Sequence, residues 1–134
     1  MNNKIDKGEL IYQEEVSIKD TDSFYDLWLR LAQKGPDAVF NTLDLINKGE
    51  TQLLSCKQNQ ASYASKINKE ELSINWNESS LTIHNKIRAL SPYLCMHTRY
   101  NQLSVKIIAS SLTDDADFQS NGPGSILIFK HRLF

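Results

Sequence analysis

The stretch ETQLLSCKQNQASYAS, residues 50–65, constrains most strongly what this chain can fold into. It is polar and weakly periodic between two segments of clear helical and strand pattern, so it reads as a linker. Charge changes sign across it. Residues 1–51 carry six Lys/Arg and ten Asp/Glu, whereas residues 52–134 carry nine and six, within a formal net charge of −1. The boundaries expected are therefore a segment 1–51, a linker 52–65 and a second segment 66–134. The second segment has 69 residues. That is few for a closed β-barrel, because a small domain has little surplus burial to lose.

In the first segment, LIYQEEVSI reads as two short strands or a strand and an extended turn. TDSFYDLWLRLAQKG reads as a helix. Thr21 or Asp22 caps its free N–H groups, and Phe24, Leu27, Trp28, Leu31 and Ala32 recur at helical spacing. Gly35 is expected to stop this helix and Pro36 to begin a second. In the second helix Val39, Phe40, Leu43 and Ile46 share a face, and Gly49 ends it. A strand followed by two such helices resembles the closing part of an α/β domain, not a complete one.

In the second segment, ELSINW alternates, placing Leu72, Ile74 and Trp76 on one face of a half-buried strand. ESSLTIHNKIRALSP is a capped helix, started by Ser79 or Ser80, with Ile83, Ile87 and Leu90 on one face and Pro92 after its end. YLCMHTRY, a turn at Asn101-Gln102 and LSVKIIASS form a β-hairpin, although Gln is a poor residue for such a turn. Gly122-Pro123-Gly124 punctuates a loop, and SILIFKHRLF is expected to begin a strand that runs to the chain end. The fold class expected is α+β, its second half built like the start of a small oligonucleotide-binding barrel.

Hydrophobic residues make up 40% and charged residues 23%, a globular mixture that argues against disorder. The two cysteines, Cys56 and Cys95, are far apart and have no CxxC spacing, which argues against a disulfide framework or a zinc ribbon. Cys95 and His97 would share a strand face as half of a metal site, but no second pair accompanies them, and no metal is expected. There is no apolar run for a membrane span and no signal-peptide core, so the expected location is cytoplasmic, without a membrane partner.

Residues 61–92, ASYASKINKEELSINWNESSLTIHNKIRALSP, carry a resemblance. Tyr63-Ala64, Lys66-Ile67, Glu70-Glu71, Ile74-Asn75-Trp76 and Ile87-Arg88-Ala89 with Pro92 follow, in order and without gaps, the linker and C-terminal-domain start of methionyl-tRNA formyltransferases. MNNKIDKGELIYQ resembles the end of that family's catalytic domain, and LAQKGPDAVFNTLDLINKG the helix pair after it. The resemblance fades after Ser111.

The resemblance implies a C-terminal remnant of a Rossmann-like α/β formyltransferase domain over residues 1–51, then a truncated OB-fold-like β-barrel over residues 66–134. The family transfers a formyl group from 10-formyltetrahydrofolate to Met on initiator tRNA, using an Asn, a His and an Asp. Asp6 matches that Asp through Ile5-Asp6-Lys7-Gly8. A carboxylate beside an imidazole positions it and manages protons while the amine attacks the formyl carbon, and the Asn and His stabilise the oxyanion. Lys66, Lys69, Lys86, Arg88, Arg99 and Lys106 are the residues expected to face tRNA phosphates, which need positive charge at suitable spacing. Arg88 has an alternative role, pairing with a carboxylate to serve the fold.

The Asn, the His and the folate pocket have no counterpart here, since His84, His97 and His131 all lie in the C-terminal half. The expectation is a formyltransferase fragment, inactive alone and binding no cofactor by itself, whose start at a Met that the family often carries internally suggests an interrupted reading frame. Three alternatives stand beside it. In a split enzyme, a separate catalytic polypeptide docks on the apolar faces of the N-terminal helices. The others are a stand-alone tRNA-binding module and the remnant of a sugar N-formyltransferase. Tyr93-Leu94 in place of Trp-Pro, Asn75 in place of Asp, and Lys7 in place of Thr or Ala depart from the family pattern.

Overall fold

The computed structural model describes residues 8–54, 62–113 and 122–126, and residues 128, 129, 132 and 133 by their backbone. The elements are α1 (Phe24–Lys48), a 3-10 turn (Glu70–Leu72), α2 (Ser80–Leu90), β1 (Met96–Tyr100), β2 (Leu103–Ile107), β3 (Ile128–Phe129) and β4 (Arg132–Leu133). β1 with β2 and β3 with β4 form two separate two-stranded antiparallel sheets. The class is α+β. The chain divides into two compact units, Met1–Asp22 with Asp26–Lys66, and Ser23–Tyr25 with Ile67–Phe134.

The first unit is built on α1, a single helix of 25 residues that contains Pro36. This corrects the expectation of two helices broken at Gly35-Pro36. Leu31, Gly35, Val39, Leu43 and Ile46 follow one another at intervals of four or three, so both halves present the same apolar stripe and remain in phase. Gly35 also removes part of the obstacle. The residue before a proline is pushed out of the helical region through its backbone N–H and its Cβ, and glycine lacks the Cβ. The helix ends as expected at Gly49, whose φ is +69°. Gly49 N–H donates to Ile46 O at 3.1 Å and Glu50 N–H to Leu45 O at 3.0 Å, the paired bonds of a Schellman C-cap.

Residues 10–18 form no regular strand, which corrects that expectation too. Only Leu10 pairs with Leu54, through reciprocal bonds of 3.0 and 2.8 Å. Beyond that bridge the segment runs antiparallel to α1 and is held by side chains. Asn41 donates to the Tyr12 hydroxyl at 3.4 Å, Lys34 pairs with Glu14, and Arg30 donates to Ser17 O at 2.8 Å. Helix side chains take the place that a neighbouring strand would occupy.

In the second unit, α2 starts at Ser79, whose Oγ accepts from Thr82 N–H at 3.1 Å. Ile83, Ile87 and Leu90 lie on its inner face and pack with Ile74, Met96 and Ile107. β1 and β2 pair from Met96↔Ile107 to Tyr100↔Leu103. Asn101 (φ +47°) and Gln102 (φ +69°) connect them, both left-handed as a two-residue I′ turn requires. Tyr93 follows α2 and meets Phe24 edge-on, with ring centroids 5.7 Å apart.

The expected strand ELSINW is reduced to one parallel bridge, Ser73↔His97, in which Ile74 N–H donates to His97 O at 2.9 Å. Its first residues form the 3-10 turn. Glu71 Oε1 reaches back to Asn68 N–H at 2.8 Å, as a glutamate near a helical start does, and this local bond wins over the ladder. Ile74 is buried, whereas Trp76 is 39% exposed and donates from Nε1 to Thr98 Oγ1 at 2.9 Å. A Cβ on Gly124 (φ +76°) would stand 3.1 Å from the Trp76 ring, so both the backbone angle and the close approach favour glycine there. At the C-terminus β3 and β4 reverse on each other, Ile128↔Leu133 and Phe129↔Arg132, where one strand was expected. Paired short strands satisfy backbone groups that a lone strand leaves open.

Candidate nucleic-acid interface

Strand alternation gives the β1–β2 hairpin two chemically different faces. Met96, Thr98 and Tyr100 lie across from Ile107, Val105 and Leu103, and the Met96 end of this face is the core. The other face carries His97 across from Lys106 and Arg99 across from Ser104. Arg99 and Lys106 are therefore diagonal neighbours on one face, with backbones about 7–8 Å apart. Both are exposed, and His97 between them is half-buried. Among the described residues neither Arg99 nor Lys106 is held in an ion pair. A pair of exposed cations on a fixed ladder has the charge and spacing that phosphate oxygens can use.

The other basic positions stand differently. Lys86 is drawn onto Glu78, with Nζ at 2.7 and 2.6 Å from its two oxygens, so its charge is already answered locally. Arg88 Nε donates to Asn85 Oδ1 at 2.8 Å on the same helix. Lys69 precedes the 3-10 turn and is exposed. Lys66 falls in the other compact unit. Asp6 lies outside the described residues, as do Cys56 and His131.

Cys95 and His97 do not stand together as strand neighbours. Cys95 precedes β1 with φ +56°, is buried, and its thiol donates to Pro92 O at 3.1 Å. Among the described residues no group of three or more His, Cys, Asp or Glu side chains could hold a metal ion.

The strongest electrostatic feature is one that sequence reading missed. Arg30 grips Asp22 through two bonds, of 2.8 and 2.6 Å, and Lys19 N–H adds a third at 2.7 Å. The Arg30 guanidinium, aided by that backbone donor, lowers the Asp22 carboxyl to about 2, and Asp22 raises Arg30 in return. Asp22 was read, with Thr21, as a candidate helix cap, and its carboxylate also meets Arg30 and Lys19 N–H. The two residues are eight apart, more than one helical turn, so no local spacing rule links them. Further along, Lys34 lowers the Glu14 carboxyl, and Glu14 raises Lys34. These pairs lie where the N-terminal segment meets α1 and join structure rather than forming a reactive centre.

Residues 66–134 match the family model described as "Formyl transferase, C-terminal domain". The chain belongs to that family. It is similar to the methionyl-tRNA formyltransferase of Syntrophomonas wolfei, 36% identical over 117 residues, which are 87% of this chain and 37% of that one. It is also 30% identical to the Natranaerobius thermophilus enzyme of the same name over 95% of this chain and 41% of the relative. For the Staphylococcus aureus enzyme the figures are 31%, 95% and 40%. This member of the formyl transferase C-terminal family thus spans about two fifths of the length of these curated relatives. The similarity extends beyond the C-terminal domain into residues before 66, because most of the chain is covered. Among the described residues no helix is long and apolar enough to cross a membrane.

Proposed function

We propose that this chain serves formyl transfer from 10-formyltetrahydrofolate to the amino group of Met on initiator tRNA, in the cytoplasm, as the tRNA-facing C-terminal portion of a methionyl-tRNA formyltransferase. The observation that carries this reading is the family match over residues 66–134, joined to the similarity to methionyl-tRNA formyltransferases over up to 95% of the chain. In this reading residues 1–51 are the end of a Rossmann-like catalytic domain, residues 52–65 a linker, and residues 66–134 part of an OB-fold-like barrel. Arg99 and Lys106 make the principal phosphate contacts from the outer face of the hairpin. Lys66, Lys69 and Arg88 add further contacts, and Lys86 contributes only after leaving Glu78. Asp6 is the carboxylate that orients a catalytic imidazole.

Formyl transfer needs more than Asp6. The amine must lose a proton as it attacks the formyl carbon, and the oxygen of that carbon must be stabilised as charge develops. One carboxylate cannot do both, so the Asn, the His and the folate site come from a catalytic portion outside residues 1–134, and the chain alone is inactive.

The test is equilibrium binding of initiator methionyl-tRNA to the full chain, followed by fluorescence anisotropy over a range of salt. Each phosphate contact contributes about 0.9 to the slope of log affinity against log salt. Arg99→Ala with Lys106→Ala is expected to reduce that slope by about two and to weaken binding at every salt concentration. An unchanged slope in the double variant removes the hairpin face from the interface. Absence of any salt-dependent tRNA binding overturns the reading of this chain as the tRNA-facing part.

A further inference from the structure

The outer face of the β1–β2 hairpin carries a third basic side chain, His97, that the proposed phosphate contacts leave out. It stands directly across from Lys106 and two residues before Arg99 on the same strand. Side chains directly across an antiparallel pair lie about 5 Å apart, and those two apart along one strand about 7 Å. The three therefore form a triangle on one face, with the imidazole at its half-buried corner and two exposed cations beside it. Among the described residues the ring takes part in no hydrogen bond or ion pair, whereas the His84 ring shares a bond of 2.9 Å with Ser110 Oγ. The backbone behind the ring is fixed, since His97 O accepts from Ile74 N–H at 2.9 Å.

The charged groups of the hairpin on this face are Arg99 and Lys106. On the other side of β1, Ser73 is bridged to His97, and the nearest acid along that segment, Glu71, is bonded to Asn68 N–H at 2.8 Å. α2 packs on the opposite, core face, and its His84, Lys86 and Arg88 are bonded to Ser110, Glu78 and Asn85. We infer that His97 is a third phosphate contact on the hairpin, made only by its protonated ring, so that tRNA binding depends on pH. This inference rests on the tRNA-facing reading above and deepens it by adding a contact and its control. Imidazole is the side chain whose charge ordinarily changes between pH 5 and 8, and a phosphate oxygen at hydrogen-bond distance favours its protonated form. Arginine and lysine stay charged throughout that range. Binding therefore takes up one proton from solvent. A ring N–H donates to the phosphate oxygen, and the proton returns to solvent on release. Affinity rises as pH falls, above a part supplied by Arg99 and Lys106 that does not change.

The test is binding of uncharged initiator tRNA to the full chain, by fluorescence anisotropy, at pH 6 and pH 8 over a range of salt. Uncharged tRNA is used because the amine of an aminoacyl group titrates in the same range. Affinity is expected to be about three- to fivefold higher at pH 6, the contribution of one exposed ion pair. The slope of log affinity against log salt is expected to be about 0.9 steeper there, as one further phosphate contact requires. In His97→Gln both differences vanish, and the chain binds at either pH as the unsubstituted chain does at pH 8. In His97→Arg they vanish in the other direction, with the pH 6 affinity and slope at both values. A residue that only shaped the hairpin could not be replaced by a permanent charge in this way. His84→Gln leaves both differences in place.

Circular dichroism of each variant separates loss of fold from loss of contact. Where His97→Gln fails to fold, the steeper salt slope of the unsubstituted chain at pH 6 and its pH-independence in His97→Arg still decide. The inference is overturned if the His97 variants keep the pH dependence of the unsubstituted chain. It is equally overturned if tRNA binding is salt-dependent but the same at pH 6 and pH 8. In both cases the proposed function stands. Absence of salt-dependent tRNA binding at either pH overturns the proposed function itself, and this inference with it.

Discussion

Asp22 shows how one residue ties an irregular segment to a helix. Its carboxylate accepts two bonds from Arg30 and one from Lys19 N–H, and these hold its pKa at about 2, against an ordinary 3.8. A carboxyl whose pKa falls on folding stabilises the fold above its unfolded pKa and loses that contribution as pH falls through the folded one. The Asp22 contribution is therefore complete above about pH 4 and disappears between there and about pH 2. Asp22→Asn is expected to lower the melting temperature at pH 6 and to leave it nearly unchanged at pH 2. Thermal melts at the two values check this, and an equal loss at both would mean that the ion pair does not hold the segment. Asp22 was visible in the sequence only as a candidate cap, because a capping rule looks three residues ahead and Arg30 is eight away.

At the scale of elements, α1 is the informative case. Proline in a helix interior removes one backbone hydrogen bond and costs about 3 kcal/mol relative to alanine. The helix continues through Pro36 because its apolar stripe is in phase on both sides and because Gly35 brings no Cβ against the proline ring. Pro36→Ala is expected to stabilise the helix by up to about 3 kcal/mol, seen as a higher melting temperature with no loss of far-ultraviolet helical signal. No change would mean that residues 24–48 are not one helix in solution. By contrast, α2 and the β1–β2 hairpin were legible almost residue by residue. Ser79 caps α2 through its own side chain, and Asn101-Gln102 closes a two-residue turn. Both depend on contacts within a few residues, which is the range over which a sequence pattern acts.

For the molecule as a whole, burial is unevenly placed. Among the described residues the buried hydrophobics are Ile74, Ile87, Cys95 and Met96, all in the second unit. A core of that size rarely supplies more than about 3–5 kcal/mol. Ile87 is 2% exposed at its centre, and Ile87→Ala is expected to cost about 2–5 kcal/mol, most of what that unit has. Denaturant unfolding followed at Trp76, whose indole bonds Thr98 on β1, reads this unit once Trp28 is replaced by Phe. A shift corresponding to less than about 1 kcal/mol would show that Ile87 is not central to the core. The first unit has α1 and its ion pairs but no buried apolar side chain among its described residues, so its apolar stripe is where further stability would come from.

The sequence by itself determined the family, the α+β class, the capped helix α2, the hairpin turn and the end of α1 at Gly49. Each of these follows from residue order or from contacts within one or two turns of chain. Tertiary structure decided the rest. ELSINW meets the ladder at one bridge, Ser73 with the distant His97, and residues 10–18 lie along a helix instead of in a sheet because Arg30, Lys34 and Asn41 receive them. Of six basic residues expected to face tRNA, only the strand register shows that Arg99 and Lys106 share a face, and only the folded position of Glu78 shows that Lys86 is already paired. Partners distant in sequence are chosen by three-dimensional proximity, and no local pattern encodes that choice.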